Sequence, residues 1–341
     1  EKLLNMGADV RICWILRSQK KAIDGIDIVY EGDWKRYIYE METAKVWIMD
    51  EPVPEYIFKR KDQIYIQTKH WGSITLKKFY FDVDRQSEKR KKKLEHGFAG
   101  IDYIFVGSDF DENSCRSGFH YSGECVHIGS PRSDVMFDMT VKKKVRYHYK
   151  LSEDKRIILY APTYREVRGK NIRSKRHWNE IDLRAIRNAV AAKFGGEWVV
   201  LLHLHPLDAS YAQGVRLEEG IIDASLYENS QELVASADMM ITDYSSVMFE
   251  PAIVGKPVFL YAPDQKEYVF GDRGFLIDYN SLPFPVSESM DELLSEINRF
   301  VLDNYQKRVK VFLGDHGVSE DGNASMRAAE FILKKLGQGS N

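Results

Sequence analysis

The stretch MMITDYSSVMFEPAIVGKPVFLY, residues 239–261, decides the fold class because its pattern is that of one strand–helix–strand unit. The apolar run MMIT predicts a strand, the polar residues DYSS predict its end, and the residues that follow predict a helix over 246–254. Gly255 and Pro257 end this helix, because Gly follows many helices and Pro cannot continue one. PVFLY then predicts a second strand, so the unit belongs to a parallel sheet.

The same alternation extends to both sides of this unit and predicts an α/β protein. Helices are expected near 178–194 and at 231–238, where amphipathic patterns end at glycine or small residues. Further strands are expected at 9–16, 26–30, 45–50, 63–68, 103–108, 125–130, 156–164, 198–206 and 221–225. The basic segment TVKKKVRYHYK, residues 140–150, interrupts the rhythm and predicts a boundary between two Rossmann-like domains around a cleft.

Composition narrows the class of protein further. A chain of 341 residues is long enough for two domains that each bury a core. Its 49 basic and 51 acidic residues nearly cancel, so nucleic acid is not a predicted partner. Three cysteines without CxxC spacing favour neither a disulfide framework nor structural zinc, and predict a reducing cytoplasm.

The first residues and the apolar runs of the sequence indicate whether it contains a signal peptide or a membrane span. No stretch reaches the roughly 18 apolar residues of a membrane span, and the start EKLLNMGADV lacks the features of a signal peptide. We therefore expect a soluble chain. Residue 1 is Glu and lies in what reads as a helix already begun, so native sequence is expected to be missing before it.

The polar residues after the strand at 239–242 are the first candidate site. The strand delivers Asp243, Tyr244, Ser245 and Ser246 to a helix start, where exposed N–H groups and the helix dipole favour phosphate. The alternative is that one serine only caps the helix. If Ser246 is the cap, Glu250 stands one position too late for a capping box, so helix architecture does not explain it.

Two histidines follow one another in the strand predicted at 198–206. His203 and His205 are two residues apart and therefore share one face of a strand, but no further zinc ligands have suitable spacing. Apolar neighbours favour a core position for His203. His205 at the strand end, followed by Pro206, is the candidate for contact with a phosphate.

Three further motifs offer polar side chains. In QTKHWGS, His70 ends a strand beside a glycine, which suits proton transfer near neutral pH, although an isolated histidine is often structural. In LYAPTYRE, Thr163 and Arg165 end another strand, and the planar guanidinium of Arg165 can grip phosphate. In DGNASMR, Asp321, Asn323 and Ser325 precede a final amphipathic helix that carries Arg327, with simple capping as the alternative.

Basic segments at 85–93 and 165–176 are either solvated surface or contacts with an anionic polymer or bilayer. The clusters at 85–93 and 142–146 are expected to hold the chain at an anionic membrane surface.

Together, ITDYSSVMFEPAIVGKPVFLY, the His205–Pro206 pair, LYAPTYRE, IGSPRSDVMF at 128–137 and DGNASMR resemble the CDP-glycerol glycerophosphotransferases. This family builds teichoic-acid-like and capsular polymers. The resemblance implies the GT-B fold, two Rossmann-like domains facing a central cleft. It implies an acceptor-side domain over 1–140, a CDP-donor-binding domain over 150–322, and a C-terminal helix over 323–341.

The resemblance also implies roles for single residues. His70 becomes the general base, although QTKHWGS departs from the QTWHG of many members, and His205 becomes a second catalytic residue. The implied donor contacts are Thr163, Arg165, Pro206, Asp243, Tyr244, Ser245, Ser246, Glu250, Ser325 and Arg327. An acceptor hydroxyl deprotonated by His70 attacks the β-phosphorus of the donor and expels CMP, with Arg165, His205 and the helix start stabilising charge.

The implied donor is CDP-glycerol or CDP-ribitol, with no cofactor required and magnesium left open. The implied acceptor is a lipid-linked or polymeric glycan, which places the chain in the cytoplasm, peripheral at the inner face of the cytoplasmic membrane. The oligomeric state is left open. Two alternatives share the architecture: a GT-B nucleotide-sugar glycosyltransferase or UDP-sugar epimerase, and a non-catalytic polymer-binding protein.

Overall fold

The computed structural model describes residues 1–17, 22–84, 86–164, 181–205, 208–209, 217–266, 268 and 274–338. The chain divides into two compact units. The first unit comprises Glu1–Ser73, Phe79–Pro131 and Asn323–Asn341. The second unit comprises Ile74–Lys78 and Arg132–Gly322. Arg165 and Pro206 lie outside the described residues, as does the whole basic segment at 165–176.

The first unit contains a pair of parallel strands and a four-stranded parallel sheet among its described residues. The pair is β1 (Ile12–Leu16) with β2 (Ile26–Tyr30), and the sheet is β3 (Val46–Met49), β4 (Ile64–Gln67), β5 (Tyr103–Val106) and β6 (Glu124–His127), in that order. Its helices include α1 (Lys2–Asn5), α2 (Trp34–Thr43), α3 (Glu88–Phe98), α4 (Asp109–Gly118) and, from the end of the chain, Ala324–Lys335.

The C-terminal helix Ala324–Lys335 completes the core of the first unit. Its Ile332 is buried in one cluster with Ile66, Phe105 and Ile128, which come from the sheet and the residue after it. Lys335 lies over the ring of Tyr103, 4.2 Å from the centroid. The last residues of the chain therefore pack with the N-terminal sheet, although the second unit lies between them in sequence.

The second unit contains a six-stranded parallel sheet in its described part. The strands are β7 (Arg156–Tyr160), β8 (Trp198–Leu202), β9 (Ile221–Asp223), β10 (Met239–Thr242), β11 (Val258–Tyr261) and β12 (Val286–Ser287), in the order β12-β11-β10-β7-β8-β9. All residues of β8, β10 and β11 are buried, as expected for strands covered on both faces. Its helices include α5 (Met139–His148), α6 (Leu183–Phe194), α7 (Ser230–Ser236), α8 (Phe249–Ile253), α9 (Met290–Arg299) and α10 (Leu302–Asp315).

The strand order of this sheet reverses at β7. From β7 the chain adds β8 and β9 on one side, and then returns to add β10, β11 and β12 on the other. In open parallel sheets, the crevice beyond the carboxyl ends of the two strands at such a switch point is where ligands bind. The residues after β7 and β10 are therefore the first place to look for a site.

The helix predicted over 246–254 is divided in the structure. A 3-10 turn covers Ser246–Met248, and the α-helix begins only at Phe249 and ends at Ile253. Pro251 explains this, because a proline has no N–H to donate and is tolerated in the first turn of an α-helix but not in its interior. Ser246 therefore does not stand at the start of an α-helix, and the dipole of the five-residue helix that begins at Phe249 favours phosphate at Ser246 only weakly.

The strand predicted at 198–206 is shorter than expected. β8 ends at Leu202, so His203 and His205 lie beyond it and the argument from strand alternation was wrong. The cause is visible at Leu204, whose N–H donates to the hydroxyl of Ser225 rather than to a neighbouring strand. The basic segment at 140–150, which we interpreted as a boundary, forms most of α5 in the second unit.

None of the helices in the described part of the chain has the length and apolar character that a membrane crossing requires.

Candidate functional site

Asp243 joins the two loops at the switch point of the six-stranded sheet. It follows β10 directly and is almost completely buried. Its carboxylate accepts a hydrogen bond from the N–H of Thr163, 2.9 Å away in the loop after β7, and another from the N–H of Tyr244 at 2.6 Å. A second bond between the same loops runs from the Thr242 hydroxyl to the carbonyl of Ala161, 2.7 Å away. The carboxylate thus fixes the backbone that lines the crevice.

Tyr244 points into the interior of the second unit. Its side chain is fully buried, its hydroxyl lies 2.9 Å from Asp264, and its ring stacks on that of Tyr268 with centroids 3.9 Å apart. Sequence reasoning grouped Tyr244 with the donor contacts. In the structure its side chain packs into the core of the second unit and supports the loop from the interior.

The two serines after Tyr244 have different partners. The Ser245 hydroxyl accepts a long hydrogen bond of 3.4 Å from the N–H of Val247 and caps the 3-10 turn. The Ser246 hydroxyl accepts from the N–H of Leu76 at 3.0 Å and lies 3.3 Å from the hydroxyl of Thr75. Ser246 therefore holds the segment Ile74–Lys78 to the second unit, a role that its position in the sequence does not reveal.

Glu250 faces an arginine inside the second unit. Its carboxylate is buried, and one oxygen lies 2.8 Å from Nε of Arg132. Burial raises the pKa of Glu250 to about 7, although Arg132 opposes the shift, so the loss of hydration outweighs the ion pair. Glu250 thus pairs with Arg132, which gives it a role other than capping the helix. Sequence reasoning missed Arg132, whose only signal was its position in the motif IGSPRSDVMF.

The loops after β7 and β8 bring an aromatic ring and an exposed histidine together. The ring of Tyr164 lies 5.0 Å from that of His205, tilted by 31°. His203 is half-buried, and its Nδ1 lies 3.0 Å from the carbonyl of Ala224, so its polar ring is satisfied within the fold. His205 is exposed at the same sheet edge as Asp243. Of the two, His205 is therefore the one accessible to a ligand.

His70 lies in the first unit, in the loop that follows β4. Its side chain is 46% exposed, and Nδ1 lies 3.5 Å from Oε1 of Glu51. The other oxygen of Glu51 accepts a hydrogen bond of 3.1 Å from the hydroxyl of Tyr80, which is buried. Trp71 meets the His70 ring edge-on, with centroids 5.0 Å apart. The Nδ1 edge of the imidazole thus lies beside a carboxylate that is itself held by a tyrosine.

A buried ion pair lies next to His70. Nζ of Lys69 is 2.8 Å from Oδ2 of Asp111, and both side chains are at most 2% exposed. Asp111 also accepts from the indole N–H of Trp71 at 2.9 Å and from the N–H of Gly107 at 2.9 Å. Lys69 adopts a φ of 54°, in the left-handed region that non-glycine residues rarely occupy. The ion pair explains how this conformation is held, and local sequence gave no signal for it.

Ser325 and Arg327 hold the loop after β6. Nε of Arg327 donates to the carbonyl of Ile128 at 2.7 Å, and the Ser325 hydroxyl lies 3.4 Å from the carbonyl of Pro131. Both contacts reach the motif IGSPRSDVMF from the C-terminal helix, within the first unit. Asn323 precedes that helix without a side-chain capping bond.

Within the residues that the structure describes, no group of three or more His, Cys, Asp or Glu side chains is placed to hold a metal ion.

The parallel sheets of the two units and the likeness to a solved neighbour define a mixed α/β protein of the GT-B-like class. A profile of the CDP-glycerol:poly(glycerophosphate) glycerophosphotransferases matches residues 1–334. The chain belongs to this family. The resemblance read from its motifs is thereby confirmed.

Individual relatives agree. The teichoic acid poly(glycerol phosphate) polymerase of Staphylococcus epidermidis is 28% identical over 96% of this chain, which spans only 46% of that relative's length. A teichoic acid ribitol-phosphate primase of Bacillus spizizenii is 27% identical over 89% of this chain and 78% of its own length. The wall teichoic acid polymerase TagF, solved after soaking with CDPG, superposes with a TM-score of 0.82 at 28% identity, covering 98% of this chain and 83% of that one.

Proposed function

We propose that this chain transfers a polyol phosphate from a CDP-activated donor to a hydroxyl of a lipid-linked or polymeric acceptor and releases CMP. The observation that carries the proposal is Asp243, which ties the loops after β7 and β10 together at the switch point of the six-stranded sheet. Family membership supports the donor class, and the general position of ligands at such switch points supports this sheet edge as the donor site.

The donor half of the site is built from the loops that Asp243 holds. His205 is exposed there and is proposed to contact the pyrophosphate, with Tyr164 packed beside its ring. Arg165 and Pro206 keep the donor roles that their motifs imply. Ser245 is proposed to contact the donor with its hydroxyl. Thr163 and Ser246 contribute through the loops they anchor, whereas Tyr244 and Glu250 act from the interior.

The acceptor half of the site is proposed around His70. In the proposal, Nδ1 of His70 carries the proton that faces Glu51, and Nε2 acts as the general base. The acceptor oxygen loses its proton to Nε2 and forms a bond to the β-phosphorus. The bond from that phosphorus to the CMP oxygen breaks, and its electron pair leaves with CMP. Tyr80 is a positioning residue, because it orients Glu51 rather than touching the substrate.

The proposal includes the GT-B arrangement predicted from the sequence, in which an acceptor-side domain over 1–140 and a donor-side domain over 150–322 face a central cleft. It requires no cofactor, and a magnesium requirement is decided by measuring turnover with and without EDTA. Relatives that use glycerol phosphate and ribitol phosphate are about equally similar to this chain, so CDP-glycerol and CDP-ribitol both remain donors to test.

A ligand screen followed by product analysis tests the reaction. Thermal shift with CDP-glycerol, CDP-ribitol and UDP-sugars identifies the donor, because a ligand at 100 times its dissociation constant stabilises by about 2.7 kcal/mol. Mass spectrometry then identifies the products. CMP together with an acceptor heavier by one polyol phosphate supports the proposal. Release of a nucleoside diphosphate would identify a glycosyltransferase, and donor-dependent stabilisation without turnover would identify a binding protein.

Attachment to the inner face of the cytoplasmic membrane is part of the same proposal. The basic segment at 85–93 contributes the first turns of α3, where Lys91 and Lys93 are partly exposed but pair with Glu88 and Glu55. Attraction between such a surface and anionic lipid is screened over about 8 Å at physiological salt. Flotation with anionic vesicles at low salt, lost at high salt, is the expected result. Absence of flotation at low salt would assign these charges to solvent.

A further inference from the structure

A basic pocket lies in the second unit at the C-terminal end of α5. Its volume is about 750 Å³, and its lining includes Lys144, Arg146, Tyr147, His148, Lys150 and Tyr227. Neither the proposed reaction nor the family motifs use these residues. Four of the six can carry a positive charge and the other two are tyrosines. This composition fits a ligand that carries phosphate groups on a short carbon backbone.

The end of α5 presents Lys150 in an unusual conformation. The N–H of Leu151 donates to the carbonyl of Arg146 at 2.9 Å, and that of Lys150 donates to the carbonyl of Tyr147 at 3.2 Å. This is the Schellman pattern, in which the residue in the left-handed region is usually glycine. Here that residue is Lys150, with a φ of 53°. A lysine held where glycine is favoured places an ammonium group at the pocket.

The charges around the pocket are partly balanced. Lys144 lies 2.6 Å from Glu232, which also accepts a hydrogen bond from Tyr227. Asp154 is a second carboxylate nearby, whose pKa is lowered by a hydrogen bond from Ser152 and further by Lys155 and Arg146.

Two cations of the pocket form no direct ion pair with a carboxylate among the described residues. Arg146 gives one N–H to the carbonyl of Lys155 at 2.7 Å, while its Nε is buried without a hydrogen-bond partner among the described residues. Lys150 is exposed and makes no ion pair in the part of the chain that the structure describes.

The tyrosines form the walls of the pocket. The side chain of Tyr147 is 89% exposed, and Tyr227 meets the ring of His148 edge-on at 5.0 Å. Tyr227 belongs to the turn after β9, since its N–H donates to the carbonyl of Ala224. That same carbonyl lies 3.0 Å from the ring nitrogen of His203, two residues before His205. The pocket wall is therefore joined through one turn to the loop that carries His205.

We propose that this pocket is a binding site for the anionic phosphodiester chain of the polymeric acceptor, remote from the reacting hydroxyl. The inference rests on the proposed function. Successive phosphates of such a chain carry one negative charge each and fit Lys150 and Arg146, while the polyol carbons pack on the faces of Tyr147 and Tyr227. A concave pocket suits a flexible chain better than the flat surface of a bilayer. The site favours long acceptors over short ones because only a long chain reaches both places.

The variant Lys150→Gly tests the site without endangering the fold. Glycine adopts a φ of 53° more easily than lysine, so the variant removes the ammonium group and keeps the helix end. Lys143→Ala is the matched control, because Lys143 is exposed on the same helix and does not line the pocket. Fluorescence anisotropy of a labelled glycerol-phosphate oligomer measures binding, and release of CMP with a single-unit acceptor measures turnover.

For Lys150→Gly we expect about tenfold weaker binding of the oligomer, the loss typical of one charge-assisted contact. Lys143→Ala should bind as the wild type does. Tyr147→Ala should weaken binding as well, and turnover with the single-unit acceptor should stay unchanged in all three variants. Equal oligomer affinity of Lys150→Gly and Lys143→Ala would overturn the proposal.

Weaker flotation with anionic vesicles at unchanged oligomer affinity would assign the pocket to the membrane and overturn the proposal too. The binding measurement needs no catalysis. A wild-type chain that binds the oligomer but releases no CMP would therefore contradict the proposed function while leaving this site intact.

Discussion

The loop at His70 and the loop at Asp243 both follow a strand of a parallel sheet, yet they use their polar side chains in opposite ways. At His70 the neighbours Lys69 and Trp71 are anchored to the buried Asp111, and the histidine itself stays half exposed. At Asp243 the carboxylate is buried and is bonded to backbone N–H groups. The exposed histidines are therefore the candidates for chemistry, whereas the buried acids that hold the two loops, Asp111 and Asp243, build the shape of the site.

Replacing His70 should have the largest effect on the reaction, and it tests whether this exposed histidine is the general base. His70→Ala should lower the rate of CMP release by about 10² to 10⁴, the usual contribution of a general base, without lowering the melting temperature. His127→Ala is the matched control in the same unit, because His127 is similarly exposed and also lies beside a glutamate, Glu112. Turnover near the wild-type level in His70→Ala would reject its role as the base.

Replacing Asp111 should instead cause a large loss of stability, because its carboxylate is buried with Lys69. Asp111→Ala leaves the ammonium of Lys69 buried without its partner, which destabilises a fold by about 3 to 5 kcal/mol. Urea unfolding measures the effect. The double variant Lys69→Met with Asp111→Asn should regain part of the loss, since no charge then remains buried and the amide oxygen still accepts a hydrogen bond from Trp71 or Gly107. Equal stability of Asp111→Ala and the wild type would show that the ion pair does not hold the loop.

The elements of the sheets were predictable because fully buried strands give uninterrupted apolar runs. β8 and β10 are buried along their whole length and matched the pattern. The misses arose where a single contact overrides the pattern. Pro251 delays the α-helix to Phe249, and the hydroxyl of Ser225 takes the N–H of Leu204 and ends β8 before the histidines.

The site was predictable only in part, for a related reason. The motifs located Asp243, His205 and His70 at strand ends, as parallel sheets require. The partners that decide exposure and charge are distant in sequence, such as Asp111 for Lys69 and Arg132 for Glu250. No local spacing encodes such pairs, so the sequence could not separate the residues that face a ligand from those that hold a loop.

The buried acid Glu250 should make the stability of the fold depend on pH. Its pKa is raised from 4.5 to about 7 mainly by burial, so the folded state keeps the proton that the unfolded state loses. Its contribution to stability is therefore complete below pH 4.5 and is lost as pH rises towards about 7. A shift of this size corresponds to at most about 3 kcal/mol.

Urea unfolding across this range, compared between the wild type and Glu250→Gln, measures the contribution. Stability of the wild type should fall with rising pH more steeply than that of the variant. Parallel curves would mean that Glu250 is ionised in both states and that Arg132 outweighs the effect of burial.

The two serines should show the smallest effects, Ser246 mainly on stability and Ser245 mainly on binding of the donor. Ser246→Ala leaves the N–H of Leu76 without its acceptor and should destabilise by about 1 to 3 kcal/mol. Ser245 makes only a capping bond of 3.4 Å, so Ser245→Ala should change stability by about 0.5 kcal/mol and act mainly by weakening the binding of the CDP donor. Calorimetry with the donor and urea unfolding separate the two. Unchanged donor affinity in both variants would leave the serines with structural roles alone, since a hydroxyl that contacts a phosphate cannot be removed without loss of a charge-assisted hydrogen bond.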